Sequence, residues 1–268
     1  MHEFKGPGAK LAYIDIPPTR DDRGEPILLI HGFASNHAVN WVFPQWVQSL
    51  TAAGRRVIAF DNRGHGRSEK FYDPVDYSLP KMAQDAGHLL DHLNIRTADV
   101  MGYSMGGRIA AFLALAQGMR VRSLILGGLG INLIERGSLP PHIAEAMEAS
   151  SLAALTDPMQ RMFRSFADTT KSDLKALAAC ARGGRERMSE REAGQIAAPV
   201  LIAVGTKDEV AGDPNRLASA FRAAQIVDIP GRDHNHAVGD KVYKEAVLEF
   251  LEQRPYSSAL PSLYFSSN

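Results

Sequence analysis

Short apolar runs that alternate with longer amphipathic segments constrain this chain most. Pro26–Ile30 (PILLI), Arg55–Phe60 (RRVIAF), Asp99–Tyr103 (DVMGY), Val121–Leu126 (VRSLIL) and Pro199–Val204 (PVLIAV) are dominated by apolar residues. A strand that reads this way is buried on both faces. Helical patterns lie between the runs: Trp41–Ala53, stopped by Gly54; Leu79–Leu93; and Gly107–Gln117, stopped by Gly118. Asn215–Arg222 reads as a further helix, Gln225–Ile229 as a strand and Val242–Gln253 as a closing helix. This order implies a mostly parallel sheet covered by helices on both faces, an α/β fold. Lys10–Ile16 (KLAYIDI) alternates instead, and reads as an edge strand ended by Pro17-Pro18.

The alternation breaks after Val121–Leu126. Residues 131–197 have helical periodicity, no convincing strand, and prolines at Pro140, Pro141 and Pro158. The chain therefore reads as a core, 1–130 and 198–268, interrupted by a helical insertion. In such sheets ligands bind at the carboxyl ends of the strands. An insertion leaving that edge is expected to lie over the site.

Composition excludes several classes of function. Lys+Arg and Asp+Glu both number 30, which gives no basic surface for nucleic acid. Cys180 is the single cysteine, so neither an internal disulfide nor a cysteine-built zinc cluster is expected. It reads as a small buried residue of a helix. The start, MHEFKGPGAK, lacks the apolar core of a secretory leader, and no apolar run has the length of a membrane span. The expectation is a cytoplasmic protein, monomer or homodimer, with no membrane or nucleic-acid partner. The Ser-rich tail 257–268 reads as a loosely packed end.

One motif carries chemistry. Gly102-Tyr103-Ser104-Met105-Gly106 stands between an apolar run and a helical pattern. A serine at a sharp strand-to-helix turn is held at strained backbone angles, and side chains two positions away would collide with neighbouring elements. The helix that follows aims its first amides back at the serine, where negative charge is stabilised. A serine hydroxyl needs a base of near-neutral pKa, and that base needs a carboxylate to fix its tautomer. Gly205-Thr206-Lys207-Asp208 follows one apolar run, and Pro230-Gly231-Arg232-Asp233-His234 follows the next strand. The order Ser104, Asp208, His234 is the one expected on this type of sheet.

With these residues the chain resembles the α/β-hydrolase fold superfamily, in its serine esterase-like branch with a helical cap. His31-Gly32-Phe33, Asp61–Ser68 (DNRGHGRS), Gly102–Gly107, Gly205–Asp208 and Gly231–His234 carry the resemblance, which spans residues 10 to about 254. It implies Ser104 as nucleophile, His234 as general base and Asp208 as the acid that orients it. It implies the amides of Phe33 and Met105 as the oxyanion hole, with His31 supporting the loop. The family register favours Asp208 over Glu209 and Asp213, the latter reading as a helix cap, and His234 over His236.

Other features read as structural. His88 and His92 share a helix face, but no third ligand is evident and no metal is expected. Asp61–Ser68 reads as a turn buttressing the site. The run Arg182 to Glu192 reads as a solvated helix face. The insertion 131–197 resembles the superfamily's cap, with Met147, Met159, Met162, Phe163, Phe166 and the adjoining Tyr103 as pocket candidates. Arg161 and Arg164 are candidates to face inward.

The expected function is cofactor-independent hydrolysis of a small, apolar carboxylic ester. Carbon–carbon bond hydrolysis, peracid formation, and a non-catalytic binding or signalling role remain as alternatives. Carbon–halogen and epoxide cleavage are disfavoured, because relatives of those activities carry aspartate where this chain has Ser104.

Overall fold

A computed structural model describes residues 1–137 and 139–253; the tail 257–268 lies outside the described residues. The strands are β1 (His2–Lys5), β2 (Lys10–Ile16), β3 (Ile27–Ile30), β4 (Val57–Phe60), β5 (Ala98–Tyr103), β6 (Val121–Gly127), β7 (Val200–Gly205) and β8 (Ala224–Ile229). They form one eight-stranded sheet in the order β1-β2-β4-β3-β5-β6-β7-β8. The strands from β3 onward pair in parallel, and β1 and β2 are antiparallel.

The period of two is plain in the core. Leu28, Ile30, Ile58, Phe60 and Val100 join the apolar cluster on one face. Ile27, Leu29, Val57, Ala59 and Met101 join the cluster on the other. Helices α1 (Trp46–Ala52) and α10 (Lys241–Glu252) cover the second face, where the Trp46 and Tyr243 rings meet edge-on at 4.9 Å. Helices α2 (Leu79–His92) and α3 (Met105–Ala116) cover the first. All residues of β3, β4, β5 and β7 are buried, as continuous apolar runs require.

Between β6 and β7 the described chain holds only helices: α4 (Asn132–Glu135), α5 (His142–Glu148), α6 (Pro158–Thr169), α7 (Leu174–Arg182) and α8 (Glu190–Ala193). Asp157 caps α6 by accepting from the Gln160 amide, and Asp173 caps α7 by accepting from the Ala176 amide. After β7, α9 (Pro214–Ala218) starts on Asp213, whose carboxylate accepts from Asn215 and Arg216 amides.

Four expectations change. Lys10–Ile16 is not an edge, because β1 pairs along its outer side, Phe4 opposite Leu11. Four mostly exposed residues carry too little hydrophobic pattern to announce a strand. The helix over Trp41–Ala53 is split: Ala38–Val42 makes one wide turn, and the chain re-enters helix only at Trp46. Pro44 lacks the amide to continue, and Gln45 turns left-handed at φ 67°. The helix expected over Asn215–Arg222 ends at Ala218. The charge run from Arg182 to Glu192 is no single helix face. Gly184 takes φ 54° after α7, and helix resumes only at Glu190, behind a Ser189–Glu192 capping box.

Candidate active site

The motif residues of the sequence gather at the carboxyl ends of the parallel strands. Ser104 follows β5 directly, at φ 53° and ψ −115°, and precedes the first residue of α3. A non-glycine residue held there is strained, and that strain is kept only where the surroundings fix it. They do so through two glycines. A Cβ on Gly102 would lie 2.1 Å from the Gly106 carbonyl oxygen, and one on Gly106 would lie 2.0 Å from that of Ile30. Neither position has room for a side chain.

Three side chains form a line. Ser104 Oγ and His234 Nε2 are 2.9 Å apart, and His234 Nδ1 and Asp208 Oδ2 are 2.8 Å apart. Asp208 Oδ1 accepts from the Val210 and Ala211 amides at 2.8 and 2.9 Å. Those bonds hold the acid in the turn after β7. The Asp208 side chain is fully buried and that of His234 is 7% exposed, so the pair interacts with little screening. His236 is exposed and bonded to Asp233 instead, and Asp213 is spent on its helix cap.

Phe33 and Met105 each line a space that Ser104 also lines. Met105 is the first residue of α3, so its amide has no acceptor within the helix. Phe33 follows β3 in a loop fixed from three sides. The Gly32 amide donates to Asn40 Oδ1 at 2.8 Å, and His31 Nδ1 meets the Gly32 carbonyl at 2.7 Å. Thr170, at the end of α6, donates its hydroxyl to the Ala34 carbonyl at 2.9 Å. His31 Nε2 accepts from the Asn62 amide at 2.9 Å. Burial pushes the His31 imidazole down to about 4 and the neighbouring His65 down to about 3, so both stay neutral near pH 7. Burial acts to raise Asp61, but hydrogen bonds from His37 and the Arg67 amide help to hold it at about 2. The turn after β4 is thus a fixed polar buttress.

Tyr103 lines the larger space beside Ser104, and its hydroxyl donates to the His234 carbonyl at 2.6 Å. It holds the backbone of the histidine as well as shaping a wall.

Two compartments of about 320 and about 60 Å³ open on Ser104. Phe33, Phe163, Phe166 and Val39 line the larger. Met105, Leu129, Leu139, Met159 and Arg108 line the smaller. Met162 and Met159 border a third space shared with His234. Met147 lines none of these. It lies on the buried face of α5, packed into the apolar cluster with Ile143 and Leu177. Arg161 and Arg164 do not face the site. Their guanidinium groups bond carbonyls of Leu152, Leu155, Ala146 and Ala149, closing turns of the insertion. Cys180 is buried in α7, 3.8 Å from Met105 Sδ. His92 stacks on Phe4 at 4.6 Å, and no group of potential metal ligands occurs among the described residues. No described helix is long and apolar enough to cross a membrane.

Asn40 and Arg108 also belong to the site, and no sequence motif announces either. Asn40 belongs to no motif, and its role depends on a turn eight residues from Gly32. Arg108 carries a weak signal: it is the polar residue of an otherwise apolar helix, one turn past the serine.

Comparison with known proteins bears on the family and the fold. The profile of the alpha/beta hydrolase fold family matches residues 25–174. The chain is 31% identical to the dihydrolipoyllysine-residue acetyltransferase component of the acetoin cleaving system of Pseudomonas putida, over 79% of this chain and 59% of that protein. It is 39% identical to 2-hydroxymuconate semialdehyde hydrolase of Pseudomonas sp. strain CF600, over 39% of this chain and 36% of that one. The chain thus spans less than two thirds of either relative. The crystal structure of the enol-lactonase from Burkholderia xenovorans LB400 superposes with a TM-score of 0.76 at 22% identity, over 94% of this chain and all of that one, a likeness of fold. With the family profile matched across more than half its length, the chain belongs to the α/β-hydrolase family.

Proposed function

We propose that the protein is a serine hydrolase that cleaves a small carboxylic ester through an acyl-enzyme. The observation that carries this reading is the unbroken line from Ser104 Oγ through His234 to Asp208, at 2.9 and 2.8 Å, beside a strained serine backbone. Ser104 Oγ attacks the ester carbonyl while His234 Nε2 takes its proton. Asp208 keeps the proton of the imidazole on Nδ1 and stabilises the imidazolium. The oxyanion of the tetrahedral intermediate sits on the Phe33 and Met105 amides, each donor worth about 3 kcal/mol in the transition state. His234 then gives its proton to the leaving alcohol, and afterwards draws one from water that releases the acid. The chain supplies every group these steps use, so the reading calls for no cofactor.

Residues 131–197 act in this reading as a cap over the site. Phe163 and Phe166 wall the larger compartment against Phe33, whose ring meets that of Phe163 edge-on at 5.9 Å. Such a wall favours an apolar acyl or alcohol group. The free, buried Cys180 accords with a reducing, cytoplasmic setting.

The test is a fluorophosphonate probe with mapping of the adduct, beside aryl esters from acetate to decanoate. Labelling of Ser104 with ester turnover is expected, and Ser104→Ala is expected to lose both, turnover by about 10⁴-fold or more. Labelling without turnover would favour carbon–carbon bond hydrolysis. A protein that is neither labelled nor active would be a binding module.

A further inference from the structure

The smaller compartment beside Ser104 contains a cation that no described carboxylate balances. Arg108 stands one turn along α3, its amide donating to the Ser104 carbonyl at 3.2 Å. The residue is 8% exposed and lines the compartment together with Asn132, Arg136 and Leu139. Nη1 donates to the Arg136 carbonyl at 3.1 Å and Nη2 to the Asn132 carbonyl at 2.5 Å. A guanidinium has five N–H groups, so most of its donor capacity is left over.

The other buried arginines are treated differently. Arg55 meets Glu25 and Asp99, Arg63 meets Asp85, and Arg164 meets Asp168. Among the described residues Arg108 has no such partner, and burial lowers its guanidinium to about 10. A buried charge without a counter-charge is destabilising, and an arriving anion recovers that cost. The position also matters. Ser104 and Arg108 line the same compartment of about 60 Å³, so an anion on Arg108 lies a few bonds from a carbonyl held at Ser104. Glu209 lines the same compartment from the facing loop, but it is exposed, and water screens its charge more than that of the buried arginine.

We propose that the compartment around Arg108 binds a carboxylate of the substrate, so that the enzyme acts on esters or lactones carrying an anion three or so carbons from the scissile carbonyl. Arg136, exposed and lining the same compartment, adds positive potential there. The proposal rests on Ser104 as the nucleophile. It narrows the substrate class from apolar esters to amphiphilic ones: an apolar end against Phe163 and Phe166, an acidic end on Arg108.

The test compares kcat/KM for phenyl hydrogen glutarate with that for phenyl valerate, and for the acetate ester of 3-hydroxypropionate with propyl acetate. The wild-type enzyme is expected to prefer one carboxylated ester over its neutral partner at least tenfold. Arg108→Met is expected to lower that ratio by about ten- to hundredfold, chiefly through KM. Arg108→Lys should recover part of it, and Glu209→Gln should raise it. A ratio near one in the wild type, or one unmoved in Arg108→Met, overturns the proposal. Should Arg108→Met fail to fold, competitive inhibition of phenyl acetate hydrolysis by glutarate decides: inhibition weakened in Arg136→Met supports the site, and its absence in the wild type removes it. Failure of the hydrolase reading looks different, because phenyl acetate and the fluorophosphonate would then both be inert. Calorimetric titration of glutarate into the intact protein would still test the carboxylate site, binding supporting it and no binding removing it.

Discussion

At the amino ends of the parallel strands, Arg55 bonds Asp99 at 2.9 Å and Glu25 at 3.2 Å, Ser123 bonds Asp99 at 2.7 Å, and Arg122 bonds Glu25 at 2.5 Å. At the carboxyl ends, some of the same residue types stand in another relation. Arg108 has no described carboxylate, His31 and His65 are buried neutral, and Ser104 is bent into a strained turn. One end of the sheet closes its charges on one another. At the other, Ser104, His234 and Arg108 line open compartments. In the proposed reading the contrast separates residues that hold the fold from residues that act on a substrate. Burial and charge alone do not make that distinction, since both ends are buried and both are charged.

After Ser104→Ala, Asp208→Asn should give the largest effect, lowering kcat by about 10³- to 10⁴-fold with little change in stability. An amide can hold His234 but in the wrong tautomer. Stopped assays on phenyl acetate check this, and a variant within tenfold of wild type would mean that Asp208 does not orient the base.

Arg55→Met tests the other end. It leaves Asp99 and Glu25 buried with one cation fewer, and should cost about 3 to 5 kcal/mol of unfolding free energy. Denaturant melts measure it, and kcat of the folded fraction should not change. A loss of kcat without a loss of stability would erase the distinction between the two ends.

Acid should act through the carboxyl end first. The unfolded His31 and His65 titrate near 6.5, while burial lowers them to about 4 and about 3 in the fold. The unfolded chain therefore binds more protons below pH 6.5. Their contribution is complete above 6.5 and is lost as pH falls toward 4, on the order of 3 kcal/mol for His31. Asp61, lowered to about 2, loses its contribution only below its ordinary value of 3.8. Urea midpoints that decline steadily from pH 6.5 to 4.5 are expected. A flat profile over that range would show that the two histidines are not held neutral.

The smallest effect is expected of Thr170→Val. It removes the hydroxyl that ties the end of α6 to the Ala34 carbonyl, next to the loop carrying Phe33. A loss of about 1 kcal/mol, or about fivefold in kcat, is expected if the insertion helps to place the Phe33 amide. Stability lost without any change in kcat would make the bond a plain tether.

Much of this was legible without coordinates because short-range physics specifies it. PILLI, VIAF and PVLIAV admit few arrangements other than buried parallel strands. The glycines around Ser104 are demanded by carbonyls that a Cβ would strike at about 2 Å. Asp208 and His234 follow strands in an order that brings them to one edge. Other features left no local trace. Four residues, HEFK, become the sheet edge only because Lys10–Ile16 offers them a free side. Asn40 supports the Phe33 loop only because a wide turn at Ala38–Val42 brings it back. Met147 and Met159 look alike in the sequence, yet one fills the interior of the insertion and the other walls the site.

The sequence by itself determined the layered sheet, the position of the insertion and the residues that meet at Ser104. These follow from apolar periodicity, glycine geometry and chain order, all of which are local or nearly so. Tertiary structure decided which wall each side chain of the insertion faces, where the Phe33 loop is tied down, and that Arg108 is buried with no counter-charge among the described residues. Those depend on which distant segments pack together. A charge becomes expensive, and so informative, only once the rest of the chain has taken the water away from it.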